Sequence, residues 1–307
     1  MTEAEFRRPA TVMVTGAGGN LGRKAVEALA VAPWCRQIIG TLHGDEAPDF
    51  SETARAKVNL IHADLTRRES GWEGAMADAD AVLHCAAARP VPEATWREAA
   101  ISFDMVQFVG LAALRFGLRR LVFFSSNHVM GGYKDAPLAE RIAPGGLTTD
   151  LPPAPGTKWR NGANFTDATP YAASKLMGER AVAGFAREEA SRLTTVTIRI
   201  GWCQPGENRP EGINISGSPG LVGEEPKDPE DQRTLRWFRS MWLSNHDFAR
   251  LVRNSIGADP AGWPGPAILV NGMSRNRDMG WSLTEAETWL DYAPEDDLYA
   301  TVPFPEG

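Results

Sequence analysis

The sequence predicts an α/β fold, a doubly wound parallel sheet with a small appended subdomain, and two observations carry this prediction. Short apolar segments of strand character alternate with longer helical segments along most of the 307 residues. The chain also opens with a strand, a glycine-rich turn and a helix over residues 10–29. Because parallel strands need crossover connections, this alternation predicts helices on both faces of the sheet.

Seven segments have strand character and are separated by helical ones. The predicted strands are residues 11–15, 38–41, 58–63, 81–85, 121–125, 195–200 and 267–270. The predicted helices include residues 96–116 and 171–191. We expect residues 1–200 to form a dinucleotide-binding domain of Rossmann type, to which the strand 267–270 returns. Residues 201–307 are expected to form a small, discontinuous substrate-binding subdomain.

The first turn has the composition of a phosphate-binding loop. Gly16, Gly19 and Gly22 follow the first strand with the spacing G-x-x-G-x-x-G, and Asn20 and Leu21 lie between them. Glycines at these positions permit a tight turn, close approach of a pyrophosphate and close packing of helix on strand. The helix N-terminus adds free N–H groups and a positive dipole end. Glycine-rich surface turns are common, but this one joins a strand to a helix and therefore predicts a dinucleotide site.

A second motif, YAASK, indicates acid–base chemistry. Tyr171 and Lys175 lie four residues apart, so on a helix both side chains share one face. A tyrosine acts as a base near neutral pH only if its pKa falls by about 3 units, which is about 4 kcal/mol. A neighbouring ammonium group and a positive nicotinamide ring both favour the phenolate. The pair Ser125 and Ser126 ends the fifth predicted strand, at the same edge of the sheet.

Composition and charge exclude several classes of partner. The net charge of −7 and the pI near 5.4 argue against nucleic acid and anionic membranes. The N-terminal residues lack a signal-peptide pattern and no apolar run has the length of a membrane span, so we expect a cytoplasmic enzyme. Cysteines 35, 85 and 203 and the five histidines show no metal-ligand spacing, so no metal is expected.

Two stretches interrupt the alternation of strands and helices. Residues 133–170 and 207–232 are rich in proline and glycine and are long for ordinary connections. Trp159 and Phe165 in the first stretch favour a packed flap over a disordered loop. We therefore expect this insertion to be a functional loop or lid.

These motifs together resemble the extended short-chain dehydrogenase/reductase superfamily over nearly the whole chain. The matching segments are TGAGGNLG at 15–22, ADL at 63–65, HCAA at 84–87, FFSSNH at 123–128 and YAASK at 171–175. The resemblance implies that Tyr171 is the acid–base residue and that Ser126 hydrogen-bonds the reacting oxygen. It implies that Lys175 lowers the pKa of Tyr171 and holds the nicotinamide ribose. The other cofactor residues it implies are Asp64, Leu65, Ala86, Ala87 and Ile200.

Within the superfamily the chain is most similar to uronate dehydrogenases. Three segments carry this likeness: SSNHVMG at 125–131, RIGWCQP at 199–205 and WLSNHDF at 242–248. The likeness implies a free sugar or sugar acid that is oxidised at its anomeric carbon to a lactone. Ser125, Asn127 and His128 would then join Ser126 in contacting the sugar. For His128, a structural role at a strand end is the alternative.

The chain also departs from these enzymes, chiefly in its cations. Arg89 stands where they carry a small hydroxyl residue, and Arg236 and Arg239 straddle the expected position of their substrate-binding arginine. Ser102 replaces the helix asparagine common in the family. We expect Arg89, His128 and one of the two later arginines to form an anion pocket. Lys158 and Arg160 of the insertion are candidates to close over it, with solvated surface cations as the alternative.

The choice of dinucleotide is left open by the second strand. Thr41 and His43 occupy the positions where NAD-selective members carry an acidic residue, and no arginine follows to bind a 2′-phosphate. Arg23 or Arg36 could bind the 2′-phosphate instead. The resemblance favours NAD, with NADP as the alternative.

Two other functions and one assembly state are also considered. The alternatives are a nucleotide-sugar epimerase or dehydratase, which needs a larger C-terminal domain, and a dinucleotide-binding sensor without turnover. In relatives, the helices equivalent to 96–116 and 171–191 pair across a two-fold axis. Excess apolar residues on these helices predict an isologous homodimer. They are Phe103, Phe108, Leu111, Val182 and Phe185.

Overall fold

A parallel sheet forms the centre of the molecule, as the alternating pattern predicts. The computed structural model describes residues 6–44, 48–161, 164–189, 191–215 and 226–304. Within these residues the strands are β1 Thr11–Thr15, β2 Gln37–Leu42, β3 Val58–His62, β4 Ala81–His84, β5 Arg120–Phe124, β6 Lys158–Asn161, β7 Asn164–Asp167, β8 Thr194–Ile200 and β9 Ala267–Gly272. The helices are α1 Asn20–Ala30, α2 Glu52–Arg55, α3 Trp72–Met76, α4 Trp96–Arg115, α5 Thr169–Ala186, α6 Pro229–Ser240, α7 Asn245–Gly257 and α8 Thr284–Leu290.

The strand order defines a doubly wound sheet. Seven strands run in the order β3-β2-β1-β4-β5-β8-β9, and every neighbouring pair is parallel. The chain winds outward from β1 to β3 and then returns to β4 on the other side of β1. This reversal opens a crevice at the carboxyl ends of β1 and β4, where ligands bind in such sheets. The predicted fold class is confirmed.

Two apolar layers cover the sheet, one on each face. On one face α1 and α7 pack together, and Leu29, Phe248 and Leu251 are fully buried there. On the other face α4 and α5 pack side by side, with Val109 and Val182 in the core. Each large aliphatic side chain buried in these layers contributes about 1.5–3 kcal/mol to the stability of the fold.

Most predicted boundaries agree with the structure to within two residues. The largest difference is at α5, which ends at Ala186 rather than at residue 191. Both proline- and glycine-rich stretches contain regular elements: α6 begins inside the second, and the antiparallel hairpin β6–β7 lies inside the first. Over the described part of the chain no helix is long and apolar enough to cross a membrane.

The division of the chain at residue 200 stays a prediction. Elements beyond it do more than build an appendage, since β9 completes the sheet and α7 packs on α1. A third apolar cluster, which includes Trp159, Trp237, Phe238 and Trp281, joins the insertion to α6 and the C-terminal loops. This aromatic cluster lies beside the carboxyl edge of the sheet and forms one wall of the site described next.

Candidate active site

A cavity of about 360 Å³ opens at the carboxyl edge of the sheet. The first turn of α1 lines one side, and the ends of β5 and β8 line the floor. Residues 90–93, from the loop after β4, and the last turn of α6 complete the wall. Side chains from distant parts of the chain, among them Ser126, His128, Tyr171 and Lys175, therefore face one space.

The glycine turn is shaped by close backbone contacts. Gly16 has a φ of +66°, and a Cβ on Gly22 would lie 2.1 Å from the carbonyl oxygen of Gly16. Thr41 lies buried beneath the turn, where its hydroxyl accepts a hydrogen bond of 3.0 Å from the Gly16 N–H. Gly19 precedes α1 and offers no side chain to cap it, so the first N–H groups of the helix are free for a ligand. The turn therefore fits a pyrophosphate.

Residues predicted for the adenosine end lie at the neighbouring strand ends. Hydrogen bonds from Thr66 contribute most to lowering the pKa of Asp64. His43, which is exposed just after β2, lowers it further through its charge. Leu65 is buried, and Ala86 packs directly against Gly16. Ala87 follows at the mouth of the crevice and is half-buried.

Of the two arginines considered for a 2′-phosphate, only Arg23 lies at this edge. Arg36 precedes β2 and donates its backbone N–H to Ala10, at the amino end of the sheet. The length of β2 therefore separates it from the glycine turn. Arg23, on α1, donates to the carbonyl oxygen of Asp49, 3.2 Å away.

The first turns of α5 carry Tyr171 and Lys175 on one face, as the motif predicts. Ser126 hydrogen-bonds the Tyr171 hydroxyl, and the Lys175 ammonium donates to the Phe124 carbonyl oxygen at 2.8 Å. Burial raises the pKa of Tyr171 to about 12, against which the Ser126 hydrogen bond acts. Burial also lowers the pKa of Lys175 to about 8. The side chains are therefore held together, but in this state the phenol keeps its proton.

A buried ion pair supports this face of α5. Glu179, one turn beyond Lys175, forms two hydrogen bonds of 3.0 Å with Arg199 on β8. Ser125 donates to the same carboxylate at 2.6 Å. Both charged side chains are at least 96% buried. The pair thus fixes Ser125 at the end of β5, where Ser125 lines the cavity. Its contact with the sugar stays a prediction.

Asn127 and His128 begin the 3₁₀ segment that follows β5. The Asn127 amide nitrogen donates to the Ile200 carbonyl oxygen at 3.0 Å, while its buried Oδ1 has no partner among the described residues. His128 is 7% exposed, and burial lowers its pKa to about 4, so its ring is neutral at pH 7. Both residues line the cavity and offer neutral hydrogen-bonding groups.

The predicted substrate arginines lie outside the described cavity lining. Arg89 is exposed and 3.9 Å from Glu98 of α4, and Arg236 projects from the exposed face of α6. Arg239 is half-buried on α6 with its charge near Tyr299. Lys158 and Arg160 of the insertion form ion pairs with acidic groups, Asp167 and Asp228 respectively. Arg236 and Arg239 both lie near Tyr299, whose pKa burial raises and their charges lower. The other three cations are each paired with a different acidic side chain.

Apolar groups and one acid occupy the wall where arginines were expected. Phe238 of α6 and Met241, which directly follows the helix, face the cavity together with Trp202, and Glu93 belongs to the loop after β4. The sequence predicts no helix over residues 229–240, so neither side chain is expected in this wall.

Lys24 and Cys203 form a second feature that the sequence did not reveal. The Lys24 ammonium donates to Asn245 at 2.7 Å and lies 3.3 Å from the Cys203 sulfur. Asn20, at the start of α1, donates to the Cys203 carbonyl oxygen at 2.8 Å. These contacts tie the glycine turn to the segment after β8, and with it to the cavity floor.

The crevice brings the glycine turn next to Ser126, Tyr171 and Lys175. This arrangement is typical of an oxidoreductase. Residues 12–201 match the model of the NAD dependent epimerase/dehydratase family, so the chain belongs to that family. The resemblance seen in the sequence is confirmed at this level.

The chain is also similar to individual sugar dehydrogenases. An L-arabinose 1-dehydrogenase (NAD(P)(+)) of Haloferax volcanii is 29% identical over 95% of this chain and 99% of its own length. A uronate dehydrogenase of Pseudomonas syringae pv. tomato is 26% identical over 96% of this chain and 84% of its own. A solved structure of a mutated uronate dehydrogenase superimposes with a TM-score of 0.66, at 22% identity, over 95% of this chain and 84% of that one.

Because His128 is buried and neutral, the free energy of unfolding should depend on pH. In the unfolded chain a histidine has a pKa near 6.5, so between pH 6.5 and 4 the unfolded state binds the proton that folded His128 excludes. Stability is therefore lost as the pH falls through this window. We expect His128→Gln to reduce the loss of unfolding free energy between pH 7 and 5 by about 2 kcal/mol.

Urea denaturation of both proteins at the two pH values measures this difference. An equal pH dependence in His128→Gln and wild type would contradict the buried, neutral state.

Proposed function

We propose that the protein is an NAD(P)-dependent dehydrogenase that oxidises the anomeric carbon of a free sugar to a lactone. The observation that carries the proposal is the meeting of Ser126, Tyr171 and Lys175 in one cavity beside the glycine turn. The names of the relatives, an L-arabinose 1-dehydrogenase and a uronate dehydrogenase, support the same chemistry.

Each of the three side chains has a separate task. Ser126 holds the C1 hydroxyl of the sugar, and Tyr171 as phenolate takes its proton. When bound, the nicotinamide supplies the hydride acceptor. Lys175 holds the nicotinamide ribose and adds positive charge near the phenolate. Because burial, opposed by the Ser126 hydrogen bond, raises the pKa of Tyr171 to about 12, we expect the base to form when positive charge is added to the site.

The glycine turn and the strand ends would hold the rest of the cofactor. Gly16, Gly19 and the first N–H groups of α1 bind the pyrophosphate. Asp64 and His43 lie at the adenosine end, and we favour NAD, with Arg23 as the residue that would admit NADP. The three unpaired cysteines support a cytoplasmic location, which stays a prediction.

The cavity favours a monosaccharide over a nucleotide sugar. Its volume of about 360 Å³ is near the lower limit of ligand pockets. The Tyr171–Lys175 pair favours turnover over a sensor that only binds dinucleotide. Assays with UDP-sugars in parallel with free sugars separate these alternatives.

Tyr171 is the proposed base, and its removal should slow the reaction. Tyr171→Phe should lower kcat by at least about a hundredfold, because a general base contributes about that much. Initial rates of NAD(P)H formation measure kcat, and fluorescence titration should give an unchanged cofactor affinity. Tyr299→Phe is the matched control, since Tyr299 is buried but lies outside the cavity lining. Turnover of Tyr171→Phe at the wild-type rate would remove Tyr171 from the mechanism.

The second prediction concerns substrate charge. The charged side chains in the described lining are one acid, Glu93, and one base, Lys175. We therefore expect the cavity to bind a neutral aldose better than a sugar acid. We expect kcat/KM for a neutral aldose to exceed that for the matching uronate by at least about tenfold, or about 1.4 kcal/mol.

Arg89 provides the internal test of this preference. Because it is exposed and near Glu98, Arg89→Ala should change the aldose-to-uronate ratio by less than about twofold. A preference for the uronate that Arg89→Ala abolishes would instead establish the anion pocket expected from the sequence.

We also propose a homodimer formed through α4 and α5. Leu111 is 45% and Met177 50% exposed on these helices, which supports a covered apolar face. Phe103, Phe108 and Phe185 are half-buried beside them, whereas Val182 is buried within the subunit.

Light scattering at micromolar concentration tests this assembly. Wild type should have the mass of a dimer, and Leu111→Glu combined with Met177→Glu should have that of a folded monomer. Val31→Glu, at an apolar residue that is 62% exposed on another face, should stay dimeric. A monomeric wild type would exclude the dimer.

A further inference from the structure

The insertion at residues 133–170 reaches the active site through Thr157. This residue directly precedes β6 and is fully buried. Its hydroxyl lies 2.8 Å from Nδ1 of His128, which lines the cavity. The contact joins positions 29 residues apart, so it is a tertiary contact built by the insertion.

The backbone is arranged to allow this close approach. A Cβ on Gly131 would lie 2.3 Å from the Thr157 hydroxyl oxygen, so the 3₁₀ segment needs a glycine there. Gly156 has a φ of +102° and donates its N–H to the His128 carbonyl oxygen at 3.0 Å. A Cβ on Gly156 would lie 2.2 Å from the Thr169 hydroxyl. Gly131 therefore leaves the space that Thr157 occupies, and Gly156 leaves space for Thr169 at the start of α5.

Aromatic packing fixes the plane of the imidazole. Trp159 of β6 stacks on His128, with ring centroids 5.9 Å apart and planes inclined by 16°. Tyr171 meets the same ring edge-on at 5.9 Å. The indole is fully buried, so the ring has little freedom to rotate away. What Thr157 adds is the position of the ring proton.

The direction of the Thr157–His128 hydrogen bond follows from accounting for the hydroxyl proton. Among the described residues, His128 Nδ1 is the one hydrogen-bond partner of the Thr157 side chain. If Nδ1 carried the proton, the buried hydroxyl proton would have no acceptor, which costs about 1–3 kcal/mol. If the hydroxyl donates, Nδ1 is unprotonated and the ring proton resides on Nε2.

We propose that Thr157 is a positioning residue that holds His128 as the neutral Nε2–H tautomer, so that His128 donates a hydrogen bond to a sugar oxygen. This inference rests on the proposed sugar dehydrogenase function. A neutral Nε2–H donor can hydrogen-bond a sugar hydroxyl or ring oxygen, and it adds no positive charge to the cavity. Burial lowers the pKa of His128 to about 4, so this donor is neutral at pH 7.

The tautomer can be measured without turnover. Long-range ¹H–¹⁵N correlation spectra of histidine-labelled enzyme distinguish the two ring nitrogens, and His128→Gln assigns the His128 signals. We expect wild type to show protonated Nε2 and unprotonated Nδ1. Thr157→Val should shift the Nδ1 signal, because the hydrogen bond to it is lost, and Thr157→Ser should restore it. A protonated Nδ1 in the wild type would overturn the proposal.

Kinetics test the consequence for substrate. Thr157→Val should raise KM for the sugar about tenfold, the loss expected for one hydrogen bond, while KM for the dinucleotide stays within twofold. Thr157→Ser should restore the sugar KM to within twofold of wild type. An unchanged sugar KM in Thr157→Val, or no rescue by serine, would overturn the proposal.

A matched control separates positioning from general destabilisation. Thr195 on β8 is also fully buried, but its hydroxyl has no partner within the described residues, so Thr195→Val should leave the sugar KM and the His128 signals unchanged. If wild type oxidises no sugar, the proposed function fails. The spectra still decide the tautomer in that case, so the two failures are distinguishable.

Discussion

The buried ion pair between Arg199 and Glu179 is the interaction on which the site depends. It joins β8 to α5, and Ser125 connects the same carboxylate to β5. Tyr171, Lys175 and Glu179 follow one another at four-residue intervals, so fixing Glu179 also fixes the helix face that carries the two reactive groups. Removal of one partner from such a pair costs about 3–5 kcal/mol, because the other charge is left buried and unpaired. The pair thus gives position rather than net stability.

Burial has opposite effects on the two reactive groups. It raises the pKa of Tyr171 to about 12 and lowers that of Lys175 to about 8, so both changes disfavour the charged forms. In the proposed mechanism Tyr171 acts as phenolate and Lys175 as ammonium. A bound nicotinamide ring would add positive charge that favours the phenolate, so proton removal by Tyr171 would depend on the bound cofactor.

Much of this architecture could be predicted from the sequence, because the responsible patterns are local. The glycine spacing at 16, 19 and 22 and the Tyr171–Lys175 interval each lie within one strand–turn–helix unit or one helix. Parallel strand alternation then brings their ends to the same edge of the sheet. Arg36 lies at the amino end of β2, a position that its distance along the sequence from the glycine turn does not reveal. The fold and the proposed reacting residues therefore follow from short-range rules.

The substrate wall could not be predicted in the same way, because it depends on contacts between distant segments. The rotation of α6 about its axis is set by its buried residues, Trp237 and Phe238, and by the buried Lys134, which bonds Thr234. This rotation turns Phe238 toward the cavity and leaves Arg236 exposed, an outcome that the spacing of the arginines does not contain. Thr157 reaches His128 only because Gly131 leaves room for it. Likeness to uronate dehydrogenases therefore supports the proposed chemistry at C1, while the residues that select the sugar must be derived from this chain's own packing.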